Sequence, residues 1–269
     1  MEAKNADMAR WAALVATSLL CLGLAGQAGA NGMAVMAAIG VGALASSIAG
    51  FAFSAICGAM LFHLADDPVR VVQIMITCSI ANQATMTWAM RRGINWGDLG
   101  VYLAGGACGV AAGVWLLLHA RRETYTFGLG LFLLAYGGYM LFRKPIVVRR
   151  QFVAIDFAAG MLGGVTGGAA GFPGAAVTIW CGMKGWDKAR QRAVFQPFIL
   201  IMQIIALAVI SLWHRTTAGV GFDPGNLLFV PISLLGTSLG LVLYGRLSDR
   251  QFARAVNILL MVSGVSYVV

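Results

Sequence analysis

The chain is divided into nine apolar runs, and these runs constrain its fold more than any other feature. An apolar run of about 18 residues or more is long enough to cross a bilayer as a helix. Only 11% of the residues are charged, against about 25% in soluble domains. The sequence therefore predicts an all-α polytopic membrane protein, because a β-barrel would show alternating apolar residues. The runs cover residues 12–29, 33–64, 69–90, 99–119, 125–142, 152–182, 189–213, 226–244 and 252–269.

The net charge of +9 fits such a protein without any nucleic-acid partner. Its Lys and Arg residues are scattered over the links between the apolar runs, where they act as topology signals. If every run crosses once and the N-terminus is cytoplasmic, the inner links hold twelve basic residues and the outer links seven. That bias has the sign expected for a cytoplasmic N-terminus but is modest.

Two similar halves follow the first apolar run. The predicted domains are residues 1–32, a signal-like or additional transmembrane segment, and two four-helix repeats, 33–145 and 146–269. Four crossings in each half would give both halves the same orientation, so the sequence predicts a parallel repeat about an axis along the membrane normal. The matched pairs are Gly42 with Gly160 and Gln73 with Gln191 at an offset of 118, and Gly109 with Gly236 at an offset of 127.

The first run of each half is too long and too rich in helix breakers for one regular helix. These runs have 32 and 31 residues, whereas about 20 suffice to span a bilayer. The second contains GGVTGGAAGFPGAAV (163–177), with six glycines and one proline, and the first contains GALASSIAGFAFSAICG (42–58). We expect an interrupted or re-entrant first helix in each half, with the second half the more broken. Close helix packing through small residues is the alternative.

Paired interrupted segments in the two halves of a transporter indicate its substrate site. Backbone N–H groups at the start of a broken half-helix and neutral side-chain donors suit an oxyanion. None of the ten acidic residues lies in the middle of a run, which argues against a cation as substrate. No catalytic residue, metal site or cofactor is predicted. The candidate substrate-binding residues are Ser46, Ser54, Gln73, Thr166, Gly167, Gly168, Gly171 and Gln191.

These glycine-rich stretches and their neighbours resemble the TauE/SafE-type sulfite exporter family, also called the toluene sulfonate uptake permease group. Residues 163–177 are similar to the second glycine-rich signature of that family, and residues 42–60 occupy the place of the first. RRGINWGDL (91–99), GACGVAAGVWLL (106–117) and LAYGGYMLFRKP (134–145) resemble a link and two helices of its first half. The resemblance covers about residues 35–269. It implies a secondary transporter that exports or imports small sulfur-containing anions such as sulfite or organosulfonates across a bacterial inner membrane, with export the favoured direction.

An anion channel and a non-transporting membrane assembly protein are the alternative functions. An enzyme is not expected, because His63, His119 and His214 lie at the ends of runs and no Ser–His or paired aspartate constellation is visible. The expected partners are a small anion substrate and the lipid bilayer. A homodimer is left open.

Overall fold

The protein is described from a computed structural model, whose regular structure is helical. The description covers residues 15–20, 23, 30–49, 53–65, 67–142, 148, 152–186, 188–218, 222–244, 258, 261 and 265. Within it, the helices are α1 (Ala30–Ala49), α2 (Phe53–Leu64), α3 (Pro68–Met90), α4 (Trp96–His119), α5 (Arg122–Phe142), α6 (Val153–Ala170), α7 (Gly174–Met183), α8 (Lys188–Ala218) and α9 (Val230–Tyr244). Short 3₁₀ turns occupy Arg91–Gly93 and Pro224–Phe229.

Three of the described helices are long and apolar enough to cross a membrane. They cover Trp96–His119, Val153–Ala170 and Arg190–Trp213. Polar side chains cap the amino ends of two helices. The Asp67 side chain accepts a hydrogen bond from the Val69 amide at the start of α3, and the Asn95 side chain accepts from the Gly97 and Asp98 amides at the start of α4. The all-α membrane fold predicted from the apolar runs is confirmed.

The first apolar run of the first half is divided into two helices that fold back on each other. α1 ends at Ala49 and α2 begins at Phe53, with residues 50–52 outside the described residues. A Cβ added at Gly42 in α1 would lie 3.0 Å from the Cβ of Cys57 in α2. In a continuous helix these positions would be about 22 Å apart. The chain therefore reverses between them, and α1 and α2 form a hairpin.

The corresponding run of the second half is also a hairpin, and its break is fully described. α6 ends at Ala170, Gly171 adopts a left-handed backbone with φ of 64°, and α7 begins at Gly174. Lys184, just after α7, reaches back to Asp156 near the start of α6 at 2.7 Å. The interrupted first helices predicted from the sequence are thus present, and both are re-entrant. The greater break expected in the second half stays a prediction, since residues 50–52 are not described.

The helix ends gather on two faces. On the first, which we call the Asp98 face, Asp98 at the start of α4 lies 2.8 Å from Arg190 at the start of α8. The second hairpin also begins and ends there. On the opposite face, called the Asp67 face, Arg70 near the start of α3 lies 3.9 Å from Asp223, which precedes α9.

The two hairpins enter from opposite faces. α1 runs parallel to α9, because Gly40 lies against Gly236 and Leu44 against Gly240, so α1 begins at the Asp67 face together with α9. α2 returns to that face, where α3 begins. The second hairpin opens instead from the Asp98 face.

The parallel orientation predicted for the two repeats is therefore wrong. Each first run was counted as one crossing, but it turns back inside the protein. In the first half this leaves three helices, α3, α4 and α5, that run from one face to the other, and an odd number reverses the orientation of the half that follows. The arrangement is that of an inverted repeat, whose two-fold axis lies in the membrane plane.

Packing between the halves is reciprocal. α4 of the first half packs along α6 of the second, α9 of the second half packs along α1 of the first, and α3 packs against α8. Small residues allow the closest approach: a Cβ at Gly164 in α6 would collide with the carbonyl oxygen of Gly106 in α4. The division into domains at residues 145 and 146 stays a prediction.

Candidate functional site at the hairpin tips

The tips of the two hairpins meet inside the protein. The Ser54 hydroxyl, in the first turn of α2, donates a hydrogen bond of 2.6 Å to the carbonyl oxygen of Gly171. The amide nitrogen of Gln203 donates to the same oxygen at 3.1 Å and to the Ser79 hydroxyl at 2.8 Å. We call these four residues, Ser54, Ser79, Gly171 and Gln203, the hairpin junction.

The hairpin junction lies at mid-depth. Ser79 is the central residue of α3 and Gln203 is the central residue of α8. These helices run antiparallel, since Gln203 of α8 contacts Ser79 of α3, whereas the earlier Gln196 lies 3.6 Å from the sulfur of the later Met86. Both helices cross between the two faces, so their midpoints are near the centre of the membrane. Transporters with broken helices bind their substrates at this depth.

The backbone conformation of Gly171 forms the turn at the tip of the second hairpin. Gly171 accepts a left-handed backbone that would strain other residues, and its amide donates to the Gly167 carbonyl at 2.8 Å. The amide of Phe172 donates to the Thr166 carbonyl at 3.2 Å. Pro173 then precedes α7, and no side chain caps the start of that helix. α7 therefore directs its amino end, without a capping side chain, into the protein.

Two amino ends of half-helices converge at the hairpin junction. α2 has 12 residues and begins beside Ser54, while α7 has 10 and begins three residues after Gly171. Each helix amino end carries about half a positive charge. The acidic side chains that the structure describes lie at helix ends or in the links: Asp67, Asp98, Glu123, Asp156 and Asp223. The junction is therefore surrounded by positive dipole ends and neutral polar groups, which favours an anion.

Several buried side-chain amides lack part of their hydrogen bonding within the described structure, and two of them are Gln203 at the hairpin junction and Gln73 in α3. The Oε1 atom of Gln203 and the Nε2 atom of Gln73 have no hydrogen-bond partner within the described structure. Both side chains are buried. Buried polar atoms are almost always satisfied by protein, water or ligand. The Gln73 Nε2 atom can therefore donate to a bound anion, whereas the Gln203 Oε1 atom is an acceptor and suits only a ligand that carries a hydrogen-bond donor.

A cavity of about 260 Å³ adjoins the hairpin junction. Ser54 and Phe172 line it at the tips, and Phe62 and Ala120 line it near the Asp67 face. Thr166 also contributes to its wall, while its hydroxyl donates to carbonyls of its own helix at 3.1 and 3.2 Å. Most of the lining is apolar, so the polar contacts for a ligand would come from the tips.

The structure brings together only part of the predicted site. Ser54 and Gly171 are in contact, and Thr166 and Gly167 lie in the turn before Gly171. Gly168 instead faces α4 at Val110, as the alternative of close packing predicts. Ser46 donates to the Ala43 carbonyl within α1.

The two glutamines matched by the repeat lie far apart. Gln73 is near the start of α3 at the Asp67 face, whereas Gln191 is near the start of α8 at the Asp98 face, bonded to the Trp186 carbonyl at 2.7 Å. They cannot contact one small ligand together. The role of each glutamine in substrate binding stays a prediction. An anion would meet Gln73 on one side of the junction and Gln191 on the other.

Sequence reasoning missed Ser79 and Gln203 as site residues. Both lie at the centre of the second apolar run of their half, and this shared central position was the available signal. It also missed the buried pair formed by Asp156 and Lys184, because both residues were assigned to the ends of runs.

Comparisons with known proteins give one result. Residues 33–267 match the family model described as Sulfite exporter TauE/SafE. A search of curated proteins finds no match, and neither does a search of solved structures. The family match covers most of the chain, including both hairpins and the junction. The chain therefore belongs to the TauE/SafE sulfite exporter family, a family of membrane transporters.

Proposed function

We propose that this protein is a secondary transporter that exports small sulfur-containing anions, such as sulfite or organosulfonates, across a bacterial inner membrane. The convergence of two half-helix amino ends at mid-depth carries the proposal. Ser54 and Gln203 place neutral donor groups beside these ends, and no described acidic side chain lies at that depth. An anion entering there would be stabilised by the two helix dipoles and by hydrogen bonds that replace those to the Gly171 carbonyl.

The arrangement of basic side chains supports the Asp98 face as the cytoplasmic one. Cytoplasmic links of membrane proteins carry an excess of Lys and Arg. Arg91 and Arg92, placed outside when every run was counted as a crossing, lie on the same face as Lys184 and Arg190 because the hairpins turn back. Among the described side chains, the Asp98 face carries Arg91, Arg92, Lys184, Arg190 and Arg192, and the Asp67 face carries Arg70 and Arg121.

Counterflow into proteoliposomes tests the proposal. Vesicles are loaded with unlabelled sulfite, benzenesulfonate, sulfate or acetate, and entry of the labelled anion is followed. We expect sulfite or a sulfonate to give counterflow, with sulfate and acetate weaker. A channel would instead give a conductance without stimulation by the anion on the other side. Failure of every anion to exchange, in vesicles shown to contain folded protein, would refute the transport proposal.

A further inference from the structure

The hairpin junction contains a hydrogen-bond acceptor that no described group matches. The Oε1 atom of Gln203 has no hydrogen-bond partner within the described structure, and this side chain is only 1% exposed. The orientation of the amide is fixed, because its nitrogen donates at 3.1 Å to the Gly171 carbonyl oxygen, which can only accept. Other buried amides also have unmatched atoms, but the Gln203 amide is the one that lies at the junction.

A bound anion would leave a second acceptor unmatched. The Gly171 carbonyl oxygen receives hydrogen bonds from the Ser54 hydroxyl at 2.6 Å and from the Gln203 amide nitrogen at 3.1 Å. If these donors turn to an anion, as the proposed function requires, the carbonyl oxygen loses them. An anion that carries only acceptors then leaves two buried oxygen atoms without a donor, which is costly. An anion that also carries one O–H group can donate to one of them.

The electrostatics of the junction suit a single negative charge. α2 and α7 begin there, and each helix amino end carries about half a positive charge, so that together they offset about one negative charge. The charged side chains of the described helices lie toward the helix ends, as Arg70 does in α3, Asp156 in α6 and Arg190 in α8. A dianion would therefore keep about one uncompensated charge in a buried site. A bare cation would face the positive helix ends, which disfavours it as the ligand of Gln203 Oε1.

We propose that the junction recognises a monovalent oxyanion with one O–H group, such as hydrogen sulfite in its O–H form, and discriminates against the sulfite dianion and against sulfonates. This inference rests on the proposed transport function and names the protonation state of its substrate. The O–H group donates to Gln203 Oε1, while the other oxygen atoms accept from the Ser54 hydroxyl and from the helix amino ends. The transported ion then carries its own proton, so a proton crosses with it without an acidic side chain at mid-depth.

The titratable side chains around the junction are controlled for by a second ligand. On the helices that surround it, those nearest to mid-depth in the described structure are Cys57 of α2, Cys78 of α3, Cys108 of α4, Tyr136 of α5, Asp156 of α6, Cys181 of α7 and Arg192 of α8. Methanesulfonate has the same charge as hydrogen sulfite and no proton to lose. Its affinity therefore reports any titration of the protein itself.

The pH dependence of binding tests this recognition. Equilibrium binding of sulfite and of methanesulfonate to the purified protein is measured between pH 6.5 and 8.5, a range in which hydrogen sulfite loses its proton. If only the protonated ion binds, the apparent Kd for sulfite rises about tenfold per pH unit at the upper end of the range, because the competent fraction of the ligand falls by that factor. The Kd for methanesulfonate should stay constant. At pH 6.5 sulfite should bind about tenfold more tightly than methanesulfonate, which leaves the acceptor unmatched.

Two variants of α8 connect the pH dependence to Gln203. Gln203→Leu removes the unmatched acceptor, so the affinity for sulfite should fall more at pH 6.5 than at pH 8.5 and the pH dependence should become shallow. Gln196→Leu is the matched control. It removes another buried glutamine of α8 whose Oε1 atom is unmatched, seven residues earlier, and should keep the full pH dependence.

The outcomes separate this inference from the transport proposal. A constant Kd for sulfite, a parallel rise for methanesulfonate or an unchanged pH dependence in Gln203→Leu would overturn the inference while anion transport stands. No binding or counterflow of any anion by the wild type would overturn the proposed function itself. Should Gln203→Leu fail to fold, proton uptake by the wild type decides. At pH 8.5, uptake of about one proton for each sulfite bound supports the inference, and uptake near zero contradicts it.

Discussion

Replacing Gln203 with Glu should weaken anion binding far more than replacing it with Leu does. The Gln203 amide donates to the Gly171 carbonyl and to Ser79 at the hairpin junction. Glu has nearly the same shape but places a negative charge where we propose that the anion binds. Two like charges about 4 Å apart repel by about 4 kcal/mol at an effective dielectric constant near 20. That energy corresponds to nearly three orders of magnitude in Kd.

Two control variants separate charge from structure. Gln203→Leu removes the same hydrogen bonds without adding charge, at a cost of about 0.6 kcal/mol for each bond within a membrane. Gln196→Glu adds the same charge to a buried glutamine seven residues earlier in α8, about 10 Å along the helix axis. At about 11 Å the repulsion falls to about 1.5 kcal/mol, or roughly tenfold in Kd.

The assay is equilibrium binding of sulfite and of benzenesulfonate to purified protein at pH 8.5, with thermal unfolding measured on the same samples. We expect the wild type to bind most tightly, Gln203→Leu and Gln196→Glu to bind about tenfold more weakly, and Gln203→Glu to show no measurable binding. Equal affinities of Gln203→Glu and Gln203→Leu, with equal amounts of folded protein, would refute an anion site at the junction.

Three further substitutions test the surroundings of the junction. Gly171→Ala places a side chain on a left-handed backbone, at a cost of roughly 1–2 kcal/mol, and puts its Cβ 2.8 Å from the Ile76 side chain. The variant should unfold at a lower temperature than Gly128→Ala, whose added Cβ has no neighbour within 4 Å. Equal unfolding temperatures would contradict this expectation. Counterflow should fall more in Gln203→Leu than in Gln191→Leu, and the reverse order would move the site toward the Asp98 face. Asn95→Ala removes the cap of α4 and should cost about 1 kcal/mol of stability in thermal unfolding without lowering anion affinity; loss of affinity would contradict a purely local role.

The sequence predicted the helical membrane fold and the position of the break, for simple physical reasons. Long apolar runs have few alternatives to spanning helices, and adjacent glycines before Pro173 disfavour a continuous helix. The same composition does not show whether a chain continues or reverses after a break. The contact of Gly42 with Cys57 shows that the chain reverses after the first break. Because both first runs reverse, the two repeats are inverted and not parallel as predicted.

Part of the candidate site was not readable from single segments. Ser54 and Gly171 were predicted from their place beside the breaks, and they do meet. Ser79 and Gln203 resemble many other neutral polar residues in apolar runs, and only the antiparallel packing of α3 and α8 brings them together. Asp156 was counted as a boundary residue because its burial depends on α7 folding back over it.

The most direct test of the central claim is an experimental structure of the protein with selenite, an analogue of sulfite whose selenium can be located by anomalous scattering. The account predicts one anion between the amino ends of α2 and α7, within hydrogen-bonding distance of Ser54 and Gln203. Selenium bound only at the basic side chains of the Asp98 face, with the junction unchanged and empty at saturating selenite, would contradict it.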